Sequence, residues 1–426
     1  MTITYWAPNA ATIAQVETGT VTAVANNATI TATINAKTIS YTCVVADTTT
    51  TAATNFFNLL NASTVPAEFS EITFANPSNG VITATAKVPG TPFANVPGTS
   101  AGLVFSAAGG AAISQVHTTS NSSPSDVNNA NNWNRGGSPA IPANGDDVVV
   151  GDSSVAMLWN LDQLAAVQFN SYNRWQSFTG TIGLPENNPL GYMEWRATYF
   201  KFAGNASPIQ VVLGLATTGS GPQRERYNFG SQQVAVTVLG MGSPLDDFGV
   251  RLLGTNTSNT MNILAGSVGV AVLPGDTSNV GNVTLDGNAT LAFGPGVTWT
   301  AATTLTTNGG RVTLNTAPPT ITAANGTTFT FGTTGLTYAT VTAQGGCRLN
   351  FLAGGTITTL TLQTSTILDK SSDSRGLTIT NSTIDGDSCQ VIDPLNAITW
   401  TNATTVKGQV RSGPFQFTGS RTVKVT

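Results

Sequence analysis

From Met261 onward one short unit recurs, and it restricts the possible folds more than any other feature of the chain. Asp286-Gly-Asn-Ala-Thr-Leu-Ala-Phe293, Asn308-Gly-Gly-Arg-Val-Thr-Leu314, Asn325-Gly-Thr-Thr-Phe-Thr-Phe331 and Gln344-Gly-Gly-Cys-Arg-Leu-Asn-Phe351 each carry Gly near a corner, then alternate apolar residues. Between them Leu285, Leu305, Ile321, Val341, Leu360 and Leu377 return at intervals of roughly 16 to 22 residues, the length of a solenoid coil. Period-two alternation is the mark of a strand. A single coil cannot bury its apolar face, so such coils stack and share one core. The pattern predicts a parallel β-helix in which Leu314, Phe331 and Phe351 point inward and Gly309, Gly326 and Gly346 form corners.

Composition agrees with an all-β protein. Of 426 residues only 9% are charged, against about 25% in ordinary soluble domains, while Thr alone supplies roughly one residue in six. Thr and Val suit pleated strands, and Gly and Asn suit the turns between them. With 40% hydrophobic residues and a net charge of −4, the chain lacks the profile of disorder. Four regions are expected: a small β-sandwich docking module with one helix over 1–105, a Ser/Asn-rich mobile linker over 106–131, the start of the β-helix with irregular insertions over 132–260, and regular coils with a C-terminal cap over 261–426.

In the first region, Ala28 to Ile34 and Lys37 to Cys43 alternate as a hairpin about Asn35-Ala36. Asp47 is placed to cap a helix over 49–60 whose apolar side is Phe56, Phe57, Leu59 and Leu60. Strands are expected near Glu71 to Phe74 and Val81 to Val88.

The run from Ala28 to Cys43, then Ala46-Asp-Thr-Thr-Thr-Thr-Ala-Ala53, Leu59-Leu-Asn-Ala62, Ile82-Thr-Ala-Thr-Ala86 and Pro89-Gly-Thr-Pro-Phe93 resembles a module of tailed-bacteriophage virion proteins. It departs from that module at Ala36, where Gly is usual. The likeness covers about a quarter of the chain, and the module also occurs in large bacterial surface proteins. Residues Asn132-Trp-Asn-Arg-Gly-Gly-Ser-Pro-Ala-Ile-Pro-Ala-Asn-Gly-Asp-Asp-Val-Val-Val150 resemble the opening of right-handed β-helices in surface adhesins, with a Trp-led segment capping the open core. Both resemblances imply a structural setting and no particular reaction.

Chemistry is sparsely provided for. The one histidine, His117, falls in the Ser/Asn-rich stretch, where a catalytic base would be poorly positioned. Asp146-Asp147 reads as turn chemistry before a strand. Glycoside cleavage needs two acids about 5 to 10 Å apart, and Asp369 with Asp373, or Asp385 with Asp387 and Asp393, are the available sets, with Arg375 near them. No phosphate-binding loop occurs. Cys43, Cys347 and Cys389 are few and far apart, which favours neither a disulfide framework nor a zinc site. No catalytic residue, cofactor or metal is therefore expected.

The one stretch rich in both aromatics and charge runs from Tyr192 to Tyr227. Aromatic residues and Arg are enriched at protein interfaces, so Tyr192, Trp195, Arg196, Arg224, Arg226 and Tyr227 form the candidate contact surface. A pI near 5.0 without a basic run disfavours nucleic acid, and no apolar run is long enough to cross a bilayer as a helix. The N-terminus has no basic start followed by an apolar run, so no secretory signal is expected and synthesis is placed in a host cytoplasm. The leading expectation is a non-enzymatic virion protein, a capsid decoration or minor head protein, bound to a major capsid or other virion protein as a homo-oligomer, most simply a trimer. A tail-associated adhesin or tailspike acting on host surface polysaccharide is the alternative, and a bacterial surface adhesin a third reading.

Overall fold

The computed structural model describes residues 2–94, 102–202, 208–214, 224–240, 245, 247–385, 388–407 and 423–425. Among the described residues 45% lie in strands and 5% in helices, and a β-solenoid of about 11 turns spans residues 147–407. Its first ladder stacks Asp147–Val150, Ser171–Arg174, Ile209–Leu213, Val234–Val238, Thr260–Ile263 and Val283–Asp286, all in parallel. It continues through Thr304–Asn308, Thr320–Ala324, Leu336–Ala343, Gly355–Leu362 and Leu377–Asp385. A second parallel ladder runs from Phe200–Lys201 through Glu225–Asn228 and Val250–Leu253 to Gln390–Ile392.

Registry explains why these residues build coils. On the first ladder Leu305 stacks on Ile321, Ile321 on Val341 and Val341 on Leu360, so one inward column is aliphatic throughout. On the second, Leu314 stacks on Phe331 and Phe331 on Phe351, whose rings lie parallel with centroids 3.9 Å apart. All three are buried, as expected. Gly309, Gly326 and Gly346 turn the corners at φ of 102°, 76° and 77°, a region that costs most residues with a Cβ.

The solenoid begins earlier than the repeat at Met261 indicates. The region 132–260, expected to hold the start of the β-helix with irregular insertions, already carries both ladders. Its periodicity is masked because Tyr172 pairs with Val211, 39 residues on, whereas Leu305 pairs with Ile321, 16 residues on. The long coil accommodates an arm, residues 184–199.

The N-terminal unit packs a four-stranded sheet, in the order Ile72–Ser78, Val81–Ala86, Val16–Ala23 and Ala112–Thr119, against a three-stranded one of Lys37–Thr42, Thr29–Ile34 and Val104–Ala108. Ile30, Ala32, Phe56, Ile82 and Phe105 lie in its core. The hairpin turn at Asn35-Ala36 has φ of 49° and 60°, the type I′ sign at both central positions, despite the Cβ on Ala36. The helix spans Thr49–Leu60, but its cap is Thr48, which accepts from the Thr51 amide. Asp47 instead accepts from the Val44 amide and the Tyr41 hydroxyl, fixing the turn before the helix. Ala52, Ala53, Phe56 and Leu60 form the buried face, while Leu59, expected on it, is exposed at its edge.

Two expected boundaries do not coincide with breaks in the structure. The supposed linker 106–131 contains Ala112–Thr119, an edge strand antiparallel to Val16–Ala23, and its small residues had concealed it. The supposed module 1–105 gives up its first strand. Ile3–Trp6 leaves the sandwich and pairs in parallel with Asp147–Val150 and antiparallel with Trp133–Arg135. Trp6 and Trp133 meet edge to face, centroids 4.9 Å apart, and close the end of the solenoid core. Asp146 locks this closure, accepting from Thr4 Oγ1 at 2.8 Å, the Ala143 amide at 2.9 Å, and Arg135 Nε and Nη2 at 2.6 and 3.1 Å.

Candidate functional site

The residues expected to face another molecule are largely used within the chain. The arm 184–199 leaves the solenoid and lies against the sandwich. There Arg196 is held by Glu71, at the end of the 3-10 turn Ala67–Glu71, through Nη2 at 2.9 Å and Nη1 at 3.1 Å. Its Nε donates to Glu194 at 2.7 Å and Nη1 also reaches the Pro92 carbonyl at 3.0 Å. The guanidinium lies over the rings of Trp159 and Trp195 at 5.1 and 5.0 Å. Tyr192 donates its hydroxyl to Glu71, and Trp195 packs against the sandwich core. Burial works against the charge of Arg196, but Glu194 and Glu71 outweigh it, and its pKa is raised. Tyr192, Trp195 and Arg196 thus form an internal joint.

Behind the arm the second ladder carries the remaining candidates. Arg226 and Arg251 both reach Glu186 on the arm at 2.5 Å, and Arg226 also faces the ring of Tyr199. Arg224 Nε donates to the Gly183 carbonyl at 3.3 Å. Tyr227 points into the solenoid core. Its hydroxyl donates to Glu225 at 2.8 Å, and Glu225 pairs with Arg174 Nε at 2.8 Å, both side chains at 0% exposure. Desolvation raises the pKa of Glu225 against the opposing pull of Arg174, and burial pushes Tyr227 well above the ordinary phenol value. A salt bridge so deep is a poor source of net stability, but breaking half of it is costly.

Of the acidic candidates, Asp369, Asp373 and Asp393 are each engaged by neighbours within the chain. Asp369 pairs with Arg348 and accepts from Ser371; Asp373 pairs with Lys370 and with Arg375 Nε at 2.7 Å. Burial opposes ionisation of Asp369, but Ser371 and Arg348 hold its pKa low, while Lys370 and Arg375 do so for Asp373. Asp393 accepts from the amides of Ala397 and Ile398 at 2.8 and 2.9 Å, closing a turn. Asp387 lies outside the described residues. Among the described residues no cluster of three or more His, Cys, Asp or Glu is placed to hold a metal.

His117 is where sequence reasoning went furthest astray. It sits on the edge strand Ala112–Thr119, directly opposite Glu17 and beside a register shift in that pairing. Its Nδ1 contacts Glu17 Oε1 and its Nε2 lies 3.0 Å from Ser120 Oγ. Glu17 is buried and also accepts from Gln15 Nε2 at 3.1 Å and Gln115 Nε2 at 3.2 Å. The order hydroxyl, imidazole, oriented carboxylate is that of a nucleophile with its base. It opens on a cleft of about 670 Å³ lined by Asn121, Asp126 and Asp162 among others. Glu17 and His117 are too distant in the chain for a motif search to join them. The available signal was an acid at an inward position of the alternating strand Val16–Ala23.

No family model, curated protein or solved structure matches this chain. Function must therefore be inferred from this geometry.

Proposed function

We propose that the protein is a non-enzymatic structural component of a tailed-phage particle, a capsid decoration or minor head protein that holds a solenoid rod away from the surface. The observation that carries this reading is the double connection between sandwich and solenoid. The strand Ile3–Trp6 is built into the first coil, and Arg196 of the arm is clamped to Glu71. Two separated attachments suppress the hinge that a single linker would leave, as a projecting rod requires. On this reading the sandwich docks to a major capsid or other virion protein, with Val45 (83% exposed) and its neighbour Val44 available for contact. The working form is a homo-oligomer, most simply a trimer, and its location is the virion.

Electron microscopy of intact particles labelled on this chain provides the test. Density at regular positions on the head is the expected result, and absence of the chain from purified particles would overturn the reading. Its non-enzymatic half is tested at Ser120, with hydrolysis of short-chain nitrophenyl esters as the assay. Turnover abolished by both Ser120→Ala and His117→Asn would make the protein an enzyme. The second reading, a tail-associated adhesin or tailspike, is favoured by the cleft lined by Tyr5, Trp6 and Trp175.

A further inference from the structure

Among the described residues, only two aromatic side chains, Tyr5 at 39% and Trp175 at 43%, belong to the set of large apolar groups left exposed. They touch each other edge to face, with centroids 6.3 Å apart. They also line a depression made of three adjoining clefts. A cleft of about 430 Å³ beside Thr2, Ile3 and Asn134 meets, at Tyr5, one of about 620 Å³ floored by Val149, Gly151, Asp152, Ser153 and Ser154. At Trp175 that cleft meets a third of about 510 Å³, beside Asn173, Gln176 and Ser177.

Strand parity places the rings outside the solenoid. In Ile3–Trp6, Thr4 and Trp6 are buried while Ile3 and Tyr5 face out; in Ser171–Arg174, Tyr172 and Arg174 are buried and Asn173 faces out, as Trp175 does two residues later. Tyr5 pairs with Val149, Val149 with Asn173 and Asn173 with Val212, which is followed by Thr237 of the next coil, close to the lining residue Leu239. The depression therefore runs along the solenoid axis for four steps between coils, about 19 Å at the usual strand spacing.

Trp175 is also set in place. A Cβ on Gly151 would lie 2.8 Å from Trp175 Cε3, so the indole rests on bare backbone there, and the absence of a side chain at 151 permits it. The Trp175 amide is bonded to the Val150 carbonyl at 2.8 Å. An aromatic plate fixed on one side and open on the other loses little conformational freedom when it binds a ligand.

We infer that this depression is a binding groove for a neutral oligosaccharide. Sugar rings present flat C–H faces that pack on aromatic plates, and their hydroxyls are served by uncharged amides and hydroxyls. Asn134, Ser153, Ser154, Asn173, Gln176 and Ser177 supply such groups along the groove, and Asp152 adds one carboxylate acceptor. A nucleic-acid strand would also stack on the rings, but it needs cations along its backbone. The one basic residue lining the groove, Arg174, has its guanidinium in the core against Glu225. This site is independent of where the protein is attached.

The full chain is tested by affinity electrophoresis through gels containing dextran, galactomannan, mixed-linkage β-glucan or soluble chitin oligomers, with a single-stranded oligonucleotide as the charged comparison. At least one neutral glycan is expected to retard the wild type. Trp175→Ala and Tyr5→Ala should weaken that retardation about tenfold or more, the effect of truncating an anchor ring. Trp175→Phe should retain much of it, and Val45→Ala, remote on the sandwich, all of it. Gly151→Ala keeps both rings but displaces the indole, so it should also weaken binding, with thermal melts confirming that each variant is folded. Failure of every neutral glycan to bind, binding of the oligonucleotide alone, or undiminished binding by folded Trp175→Ala would each overturn the inference.

Discussion

Phe331 lies between Phe351, at 3.9 Å, and the edge of Tyr338, at 5.0 Å, with almost no exposed surface. Phe331→Asp places an unpaired carboxylate in that stack and is expected to cost more than about 4 kcal/mol, which thermal melting will register as loss of the cooperative transition. Arg174 and Glu225 behave differently because they are already charged and paired. Glu225→Gln should destabilise by about 3–5 kcal/mol, whereas Arg174→Met combined with Glu225→Leu should return close to wild type, since neither charge then remains to be desolvated. Denaturant melts of the two single variants and the double one decide it; a double variant worse than both singles would refute the account. Residues of this kind were only half legible in the sequence. Phe331 announced itself because its strand, Thr328–Phe331, alternates intermediate and buried positions. Glu225, Arg226 and Tyr227 are all buried in succession, the core covering one face of their strand and the arm 184–199 the other. Alternation carries no information when both faces are covered, so a buried joint looked like an exposed contact patch.

At the scale of elements, the strand Ile3–Trp6 is the piece whose placement the sequence concealed. Its four residues pair with partners more than a hundred positions away, and nothing local distinguishes a strand of the sandwich from one of the solenoid. Asp146 decides its hold. Burial raises the energy of the charged form, but Arg135, the Ala143 amide and Thr4 together favour it more, so the carboxyl titrates below its ordinary range. A depressed folded-state pKa stabilises fully above the unfolded value and is lost as pH falls through the folded value. The contact of Ile3–Trp6 with the first coil should therefore loosen only in acid, below the ordinary carboxylate pKa. Hydrogen exchange at the Asp147 amide, which donates to the Thr2 carbonyl at 2.9 Å, reports that contact directly. Protection should fall with acidification in the wild type and be low and nearly flat with pH in Asp146→Asn. Equal protection in the two proteins across the acid range would remove Asp146 from this role.

For the molecule as a whole, the sandwich and solenoid are joined by two elements that the chain reaches at different times, the first strand and the arm inserted in the coil between Tyr172 and Val211. The solenoid itself was legible, because a regular coil repeats its own pattern; the joint was not, because it is made once. This arrangement predicts what happens when either connection is cut. A chain lacking residues 1–105 loses Thr4 and Trp6 and bares Trp133 at the open end of the core, so it should aggregate rather than persist as a free rod. Arg196→Ala leaves that end closed but removes the clamp on Glu71, Glu194 and the Pro92 carbonyl. Glu71 and Glu194 are then left facing each other in a poorly solvated joint, and their repulsion should part the arm from the sandwich while each unit keeps its own core. Limited proteolysis should cut within 184–199 in Arg196→Ala and spare the wild type. Scattering should show a broader distribution of shapes with unchanged strand content by circular dichroism. Arg196→Lys cannot reproduce the forked contacts and should lie between the two. If Arg196→Ala matched the wild type in both measurements, the first strand alone would be holding the sandwich to the rod, and the rigidity on which the projecting role depends would have to come from that single attachment.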